Sequence, residues 1–311
     1  MNAPIALFVY NRPEHSRIVL DFLAKNELAG ESKLYIFADG PKKNASENDL
    51  KNIAAVRKLI RSKKWCQEVH IVEEPQNKGV DSSITTALIE FVNRHDKLIV
   101  LEDDIVTSKY FLTYMNQSLV KYEMEEEVMA ISGYMFPVKG KLPETFFLHT
   151  GGGWGWGTWK RAWNQFNPDS KSLIDQLKKK NLVRRFNFDN TSNFFGMLKG
   201  HQEETIVEWD ACWYATIFLK NRFTLYPHKS FTRNIGMDGS GTNYVGSEKE
   251  THIDVNAFNS WAEEKNSPKF TDRIELSKHA QDALTAYFRK LNSTSVMSKI
   301  KHEMSKNIFT R

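Results

Sequence analysis

Short apolar runs alternate with segments of helical spacing through the first hundred residues. "PIALFVY" (4–10), "KLYIFADG" (33–40), "QEVHIVEEP" (67–75) and "KLIVLEDD" (97–104) are rich in β-branched and aromatic residues and predict strands. Between them lie "RPEHSRIVLDFLAKNEL", where Ile18, Leu20, Phe22 and Leu23 cluster and Pro13 fits a first helical turn, "SENDLKNIAAVRKLIRS" (46–62) with Ser46 as a candidate N-cap, and "GVDSSITTALIEFVNRH" (79–95). The run 97–101 is apolar at nearly every position, as a strand covered on both faces requires. Strand and helix in alternation predict a mainly parallel sheet with crossover helices.

Such a sheet holds its ligand at the carboxyl ends of its strands. At those ends stand Asn11 and Arg12, then Asp39 and Gly40, then Glu102, Asp103 and Asp104. Three adjacent carboxylates repel, and burial raises the cost unless a cation or hydrogen-bond donors offset it. Either the run is a solvated turn, or it is the protein's share of a site for a hard divalent cation, which takes oxygen ligands from one or two carboxylates and from substrate phosphates. The position at the end of an apolar strand favours the second reading.

Beyond residue 104 the pattern predicts a helix over 108–125, a strand over 127–136, a basic helix in "KSLIDQLKKKNLVRRF", and a helix followed by a short strand over 208–227. "FFLHTGGGWGWGTWKRAWNQF" (146–166) is dense in Gly and Trp. Its three consecutive glycines permit a close backbone approach or a loop that closes over a ligand. "RNIGMDGSGTNY" (233–244) reads as a Gly-rich loop. From about 278 the chain is basic and helical. Arg289, Lys290, Lys299, Lys301, Lys306 and Arg311 alternate with Val296, Met297, Ile300, Met304 and Ile308, a pattern that suits either an anionic membrane surface or packing on the chain's own domain.

Composition narrows the function classes. The 311 residues carry a net charge of +5, mild enough to suit an anionic ligand, and no nucleic-acid signature accompanies it. Cys66 and Cys212 form neither a zinc pattern nor a disulfide framework. The start lacks a secretory pattern and no apolar run reaches membrane-spanning length, so the expectation is a cytoplasmic protein, with the tail as a peripheral contact on the inner membrane face.

"ALFVYNRPE", "LEDD" (101–104), "GGWGWGTW" (152–159) and "EWDACWY" followed by "SFTRNIG" (208–236), in this order, resemble the glycosyltransferases of the GT-A fold. Within them the chain is similar to the inverting N-acetylglucosaminyltransferase that initiates complex N-glycans and its bacterial relatives. The resemblance covers about the first 245 residues and implies an α/β fold of GT-A type, a UDP-sugar donor, Mn²⁺ or Mg²⁺, and a glycan or glycolipid acceptor. It assigns Arg12 to the nucleotide, Asp39 to the uracil, Glu102 and Asp103 to the sugar and ribose, and Asp104 to the metal. It makes Asp210 the catalytic base, matching the first Asp of the family's W-D-D-W stretch. Here that stretch reads WDACW, so Ala211 replaces the second carboxylate and Cys212 is extra, a departure that bears on the acceptor contacts.

Physical chemistry bears on these residues independently. A carboxylate between Trp209 and Trp213 is partly desolvated, which raises its basicity. Glu208 competes for the role, and either could simply complement a helix N-terminus. Trp154, Trp156 and Trp159 are either sugar platforms or core, with at least one of each expected. Arg233 is a candidate diphosphate clamp or a surface ion pair. His228 is a candidate further metal ligand or a structural histidine, and Lys78 with the amides near it is a candidate phosphate contact or a solvated cap. The expected organisation is a catalytic domain over 1–255 and a helical extension over 256–311. Two other classes compete. A sugar nucleotidyltransferase would need a Gly-rich phosphate loop after the first strand, and "YNRPEHS" has no glycine. A non-catalytic carbohydrate-binding protein would use the tryptophans without needing Asp210 or the triplet.

Overall fold

In the computed structural model, which describes residues 2–203, 209–238 and 255–308, the alternating pattern resolves into strands and helices close to those expected. The first half runs β1 (Ile5–Val9), α1 (Pro13–Leu23), β2 (Lys33–Ala38), α2 (Glu47–Ile60), β3 (Glu68–Glu73), α3 (Val80–Arg94) and β4 (Lys97–Glu102). Pro13 occupies the first turn of α1, and Ser46 caps α2 in a reciprocal box, its hydroxyl accepting from the Asp49 amide at 3.1 Å while Asp49 accepts from the Ser46 amide at 3.2 Å. The second half runs β5 (Ile105–Thr107), α4 (Phe111–Lys121), β6 (Val128–Ser132), β7 (Thr145–Leu148), β8 (Trp156–Trp159), α5 (Lys160–Trp163), α6 (Ser170–Lys179), α7 (Val183–Phe186), α8 (Phe194–Gln202), α9 (Trp209–Leu219), β9 (Phe223–Pro227), β10 (Thr232–Asn234), α10 (Val255–Glu263) and α11 (Lys278–Ile308).

Eight strands form one sheet in the order β3-β2-β1-β4-β8-β6-β9-β7, while β10 pairs with β5 in a separate two-stranded ribbon. Strands β3, β2, β1 and β4 are mutually parallel, and β8 and β7 run against their neighbours. The α/β class with a mainly parallel sheet is thus as the sequence pattern requires. Register aligns the strand ends: Val9 pairs with Ala38, and Phe8 with Glu102. The polar residues that follow β1, β2 and β4 therefore emerge at one edge.

Burial explains the register. In β2, the half-buried Tyr35 and Phe37 meet Phe91 of α3 with ring centroids 4.7 and 6.0 Å apart, while Leu34, Ile36 and Ala38 on the opposite face are buried. A one-residue slip would exchange the two faces. Beyond β4, Trp156, Trp159 and Trp213 are almost fully buried, and Trp156 lies 5.4 Å from Trp209 and 6.0 Å from Trp213. Each such ring contributes about 2–3 kcal/mol of burial, enough to fix β8 against α9.

Two features depart from the sequence pattern, and a third decides how the chain after 255 is placed. The basic segment is two helices, because Asn181 adopts φ 56° after α6 and the Leu182 amide bonds back to the Leu177 carbonyl at 2.9 Å, a left-handed helix stop. The Gly/Trp segment, where the sequence pattern gives no strand, opens on β7 and contains β8; Gly157 lets β8 pass beneath Met115 of α4. The chain after 255 packs on the rest: the Trp261 indole donates to the Ser230 carbonyl at 3.2 Å, and Ala280, Leu284 and Phe288 of α11 are buried. The tail's side chains from 294 onward lie outside the described residues, as do Glu208 and residues 239–244 of the Gly-rich loop. Among the described residues no helix is long and apolar enough to cross a membrane.

Candidate active site

The acidic run forms the tight turn between β4 and β5, and Arg12, delivered by the β1–α1 junction, lies against it. Its Nη2 donates to Asp103 and, at 3.0 Å, to Asp104, while Nε donates to the other Asp103 oxygen at 3.3 Å. Burial opposes the Arg12 charge, but Asp103 and Asp104 more than offset it and its pKa rises. The repulsion within the triplet, expected from sequence to be met by a divalent ion, is met here in the first place by this guanidinium. With one guanidinium against three carboxylates, the triplet keeps an acidic excess. Burial, then Asp104, Asp210 and Asp103, hold Glu102 well above the ordinary carboxylate range. Asp104 is raised by burial and by Asp103, with Arg12 opposing. Arg12 Nη1 is buried and has no hydrogen-bond partner among the described residues.

Two adjoining cavities share Arg12 and Glu102. The first, about 280 Å³, lies over the ends of β1, β2 and β3; Phe8, Phe37, Tyr10, Asp39 and Lys78 are among its lining residues. Asp39 is saturated: one oxygen accepts from the Gly40 and Lys78 amides at 2.8 and 2.9 Å, the other from the Asn77 side chain at 2.8 Å and the Gly79 amide at 3.3 Å. Asp39 therefore organises the loop that leads into α3, and the amides at 78 and 79 are not free for phosphate. The Lys78 ammonium pairs with Glu74 at 2.6 Å.

The second cavity, about 410 Å³, lies on the other side of the triplet and is lined by Asp104, Trp154, Asp210 and Asn234 among others. Asp210 stands in the first turn of the described part of α9 and faces the cavity. Burial pushes its carboxyl up to about 6; Asp81 adds to this, while the Ala211 amide pulls it down. Glu102 and Asp210 line the same cavity, and the Asp210 charge adds to the rise of Glu102. Asp81, in the first turn of α3, accepts from the Trp209 amide at 3.0 Å and pairs with His201 of α8 at 3.0 Å, so it fastens the start of α9 beside Asp210. The Cys212 thiol lies 3.8 Å from His201 Nδ1 but is buried, and burial pushes it up to about 12, far from a reactive thiolate.

The Gly/Trp segment builds the wall between Asp210 and the triplet. Gly151–Gly153 run so close to α9 and β6 that added Cβ atoms would come within 3.1 Å of Tyr214 and 3.2 Å of Ser132 and Asp210. Gly155 holds φ 78°, and a Cβ there would stand 2.6 Å from Thr232, whose hydroxyl donates to the Trp154 carbonyl at 2.7 Å. Trp154 thus reaches the cavity, edge-on to Tyr134 at 4.6 Å, while Trp156 and Trp159 are core.

Arg12, Asp39, Glu102, Asp103, Asp104 and Asp210 are brought together; Arg233 is not. On β10 successive side chains alternate, so Asn234 faces the second cavity and Arg233 faces away, its guanidinium 4.5 Å over Trp261 and 5.3 Å over Phe258. His228 lies with Arg233 in a separate surface depression, hydrogen-bonded to the Glu144 carbonyl at 3.2 Å, away from the triplet. Sequence reasoning did not single out Asn234, Asp81, His201 or the aromatic residues Phe188, Phe194 and Phe288 of the second cavity. Only Asp81, an acidic residue opening a helix after a glycine, carried a local signal.

Among the described residues no group of three or more His, Cys, Asp or Glu side chains is arranged to hold a metal by itself. The donor chemistry nonetheless fits a hard cation. Asp103 is engaged by Arg12, and Asp104 lines the cavity with its negative charge only partly offset. One carboxylate completed by phosphate oxygens and water is a coordination that Mg²⁺ and Mn²⁺ accept.

No family model and no curated protein matches this chain. Among solved structures it is similar to the mannosyltransferase PcManGT from Pyrobaculum calidifontis, described in complex with GDP-Man and Mn²⁺, at 16% identity over 44% of this chain and 37% of that one, with a TM-score of 0.31. It is also similar to S. aureus TarS 1-349 (12% identity, 80% of this chain and 68% of that one, TM-score 0.38) and to a longer S. aureus TarS chain (12%, 80% and 41%, TM-score 0.37). The alignment thus spans little more than a third of the length of the mannosyltransferase. At these identities and TM-scores the likeness decides nothing about activity.

Proposed function

We propose that this chain is a metal-dependent, inverting glycosyltransferase of the GT-A type. In this reading it moves a sugar from a UDP-sugar, with N-acetylglucosamine favoured by the sequence resemblance, onto a hydroxyl of a glycan or glycolipid acceptor. The observation that carries the reading is the meeting of two cavities at Arg12 and Glu102, with the acidic turn on one side of the second cavity and the raised carboxylate of Asp210 on the other.

The nucleotide occupies the first cavity, its base near Phe37 and the loop that Asp39 organises. The unpartnered Arg12 Nη1 supplies a donor to a diphosphate oxygen at the junction. Asp104 would hold the divalent ion, which when bound neutralises charge on the leaving diphosphate. Asp210, ionised, takes the proton of the acceptor hydroxyl as that oxygen bonds to the anomeric carbon; the bond from that carbon to the phosphate oxygen breaks and its electron pair leaves with UDP. Glu102, whose carboxyl burial and then its acidic neighbours raise, lies where the two cavities meet and faces the transferred sugar. Trp154 offers an apolar face to a pyranose ring. Because Leu284 and Phe288 of α11 line the second cavity, the extension after 255 belongs to the working enzyme. The basic tail suits a peripheral contact with the cytoplasmic face of an anionic membrane, which co-sedimentation with anionic vesicles checks.

The ion pairing of Arg12 supports a second reading, a transferase in which this guanidinium alone offsets the leaving diphosphate. One assay separates these and the competing classes: release of UDP from UDP-sugars with Mn²⁺, with EDTA, and with pyrophosphate. Slow metal-dependent release is expected. UDP release unaffected by EDTA favours the Arg12 reading, formation of UTP and sugar 1-phosphate only with pyrophosphate indicates nucleotidyl transfer, and no UDP release from any nucleotide-sugar under any condition refutes the proposal.

A further inference from the structure

The second cavity is polar at one end only. Away from Asp104 and Asp210 it is walled by Phe136, Phe188, Phe194, Met197, Leu284 and Phe288, contributed by the segment after β6, the α7–α8 connection, α8 and α11. The rings form a continuous surface: Phe288 lies 5.0 Å from Phe136, 5.4 Å from Phe188 and 5.8 Å from Phe194, and Phe194 lies 5.2 Å from Tyr214, one helical turn beyond Asp210. Nearby polar groups are already matched. The Tyr214 hydroxyl donates to the Phe186 carbonyl at 2.7 Å; Thr150 donates to the Tyr226 hydroxyl at 2.7 Å, which donates to the Gly151 carbonyl at 2.6 Å. A ligand at this end gains apolar contact and finds few unmatched hydrogen-bond partners.

Charge limits the ligand further. Among the described lining residues the only cation is Arg12, which is engaged by Asp103 and Asp104, whereas Glu102, Asp104 and Asp210 are acidic. Apart from the ion that Asp104 would share with the donor's diphosphate, an anionic acceptor would meet carboxylates without a counter-charge.

We infer that the acceptor is a neutral glycoside carrying an apolar aglycone, with the attacking hydroxyl at Asp210 and the aglycone seated against Phe288 and Met197. This rests on the transfer reading and narrows its acceptor class. A flat aryl group and a flexible alkyl chain share the required chemistry, and the experiment separates them.

The test is isothermal titration of the full chain, with UDP and Mn²⁺ present, against methyl, hexyl and p-nitrophenyl β-glycosides of glucose, galactose and N-acetylglucosamine. For at least one sugar, the hexyl or p-nitrophenyl form is expected to bind about tenfold tighter than the methyl form, as burial of an apolar group implies. Phe288→Ala and the partly exposed Met197→Ser should each remove most of that advantage while leaving the methyl glycoside's Kd nearly unchanged; Met197→Ser decides if the other variant is unstable. Equal binding of all three aglycones, or an advantage that survives in the folded variants, overturns the inference. Tighter binding of the matching sugar 1-phosphate overturns the requirement for neutrality. UDP release without acceptor is followed in parallel. Release with no aglycone effect sinks this inference alone, and an aglycone effect with no release from any UDP-sugar sinks the transfer reading alone.

Discussion

Asp210→Asn separates catalysis from stability. Burial raises this carboxyl from 3.8 to about 6 in the folded chain, so ionising it above pH 6 works against folding. A carboxyl whose folded pKa is raised contributes stability that is complete below the unfolded value and is lost as pH rises through the folded value. At about 1.4 kcal/mol per tenfold, the interval from 3.8 to about 6 corresponds to at most about 3 kcal/mol. Asp210 keeps some contact with solvent, which trims the expected effect to about 1–2 kcal/mol. The neutral amide removes the penalty. Urea unfolding of wild type and variant is therefore expected to agree near pH 4 and to diverge between pH 4 and 6, with the variant more stable and the difference level above about pH 7. Turnover should fall by about 10²–10⁴-fold while UDP-sugar binding persists. In the wild type, kcat/KM should rise with pH through about 6, as Asp210 ionises. Equal stability of the two proteins at pH 8 would refute the burial argument, and unchanged turnover would remove Asp210 from the base role.

Three other perturbations test separate parts of the site. Arg12→Gln leaves the Asp103 and Asp104 carboxylates without their counter-charge and should cost about 2–3 kcal/mol in urea unfolding, a loss that Mn²⁺ with UDP should partly reverse. Gly155→Ala forces a side chain into φ 78° and into Thr232; about 2–4 kcal/mol of destabilisation is expected, and a melting temperature equal to the wild type would contradict the packing described. Trp154→Ala should raise the KM for donor or acceptor by about tenfold with little change in melting temperature, because this ring faces the cavity while Trp156 and Trp159 hold the core.

What the sequence disclosed follows from the range of the forces involved. The parallel half was legible because each strand is a short apolar run and each helix has its own period and cap. The polar residues after β1, β2 and β4 were legible as a site because a parallel sheet gathers its strand ends. Strands β7 and β8 were not read: β7 has only four residues, and β8, interrupted by Gly157, is held by packing against α4 and α9 rather than by its own propensity. Arg233 does not reach the second cavity: β10 has three residues, too few for the sequence to show which face each takes, and its pairing with β5 puts Asn234 rather than Arg233 on that side. The contact of Asp81 with Trp209 and the reach of Phe288 into the second cavity join segments more than a hundred residues apart, which no local pattern encodes. Arg12 was read as a nucleotide ligand; its pairing with a turn 91 residues away, which offsets the repulsion assigned to a metal ion, emerges only from the alignment of β1 with β4.

The central claim is that Asp104, left partly uncompensated beside Arg12, recruits a divalent ion together with a nucleotide diphosphate. Calorimetric titration of UDP into the wild type and into Asp104→Ala, each with Mn²⁺ and with EDTA, tests it most directly. Binding that needs Mn²⁺ in the wild type and is lost in the variant is expected; equal UDP affinity in all four titrations, or none in any, would contradict it.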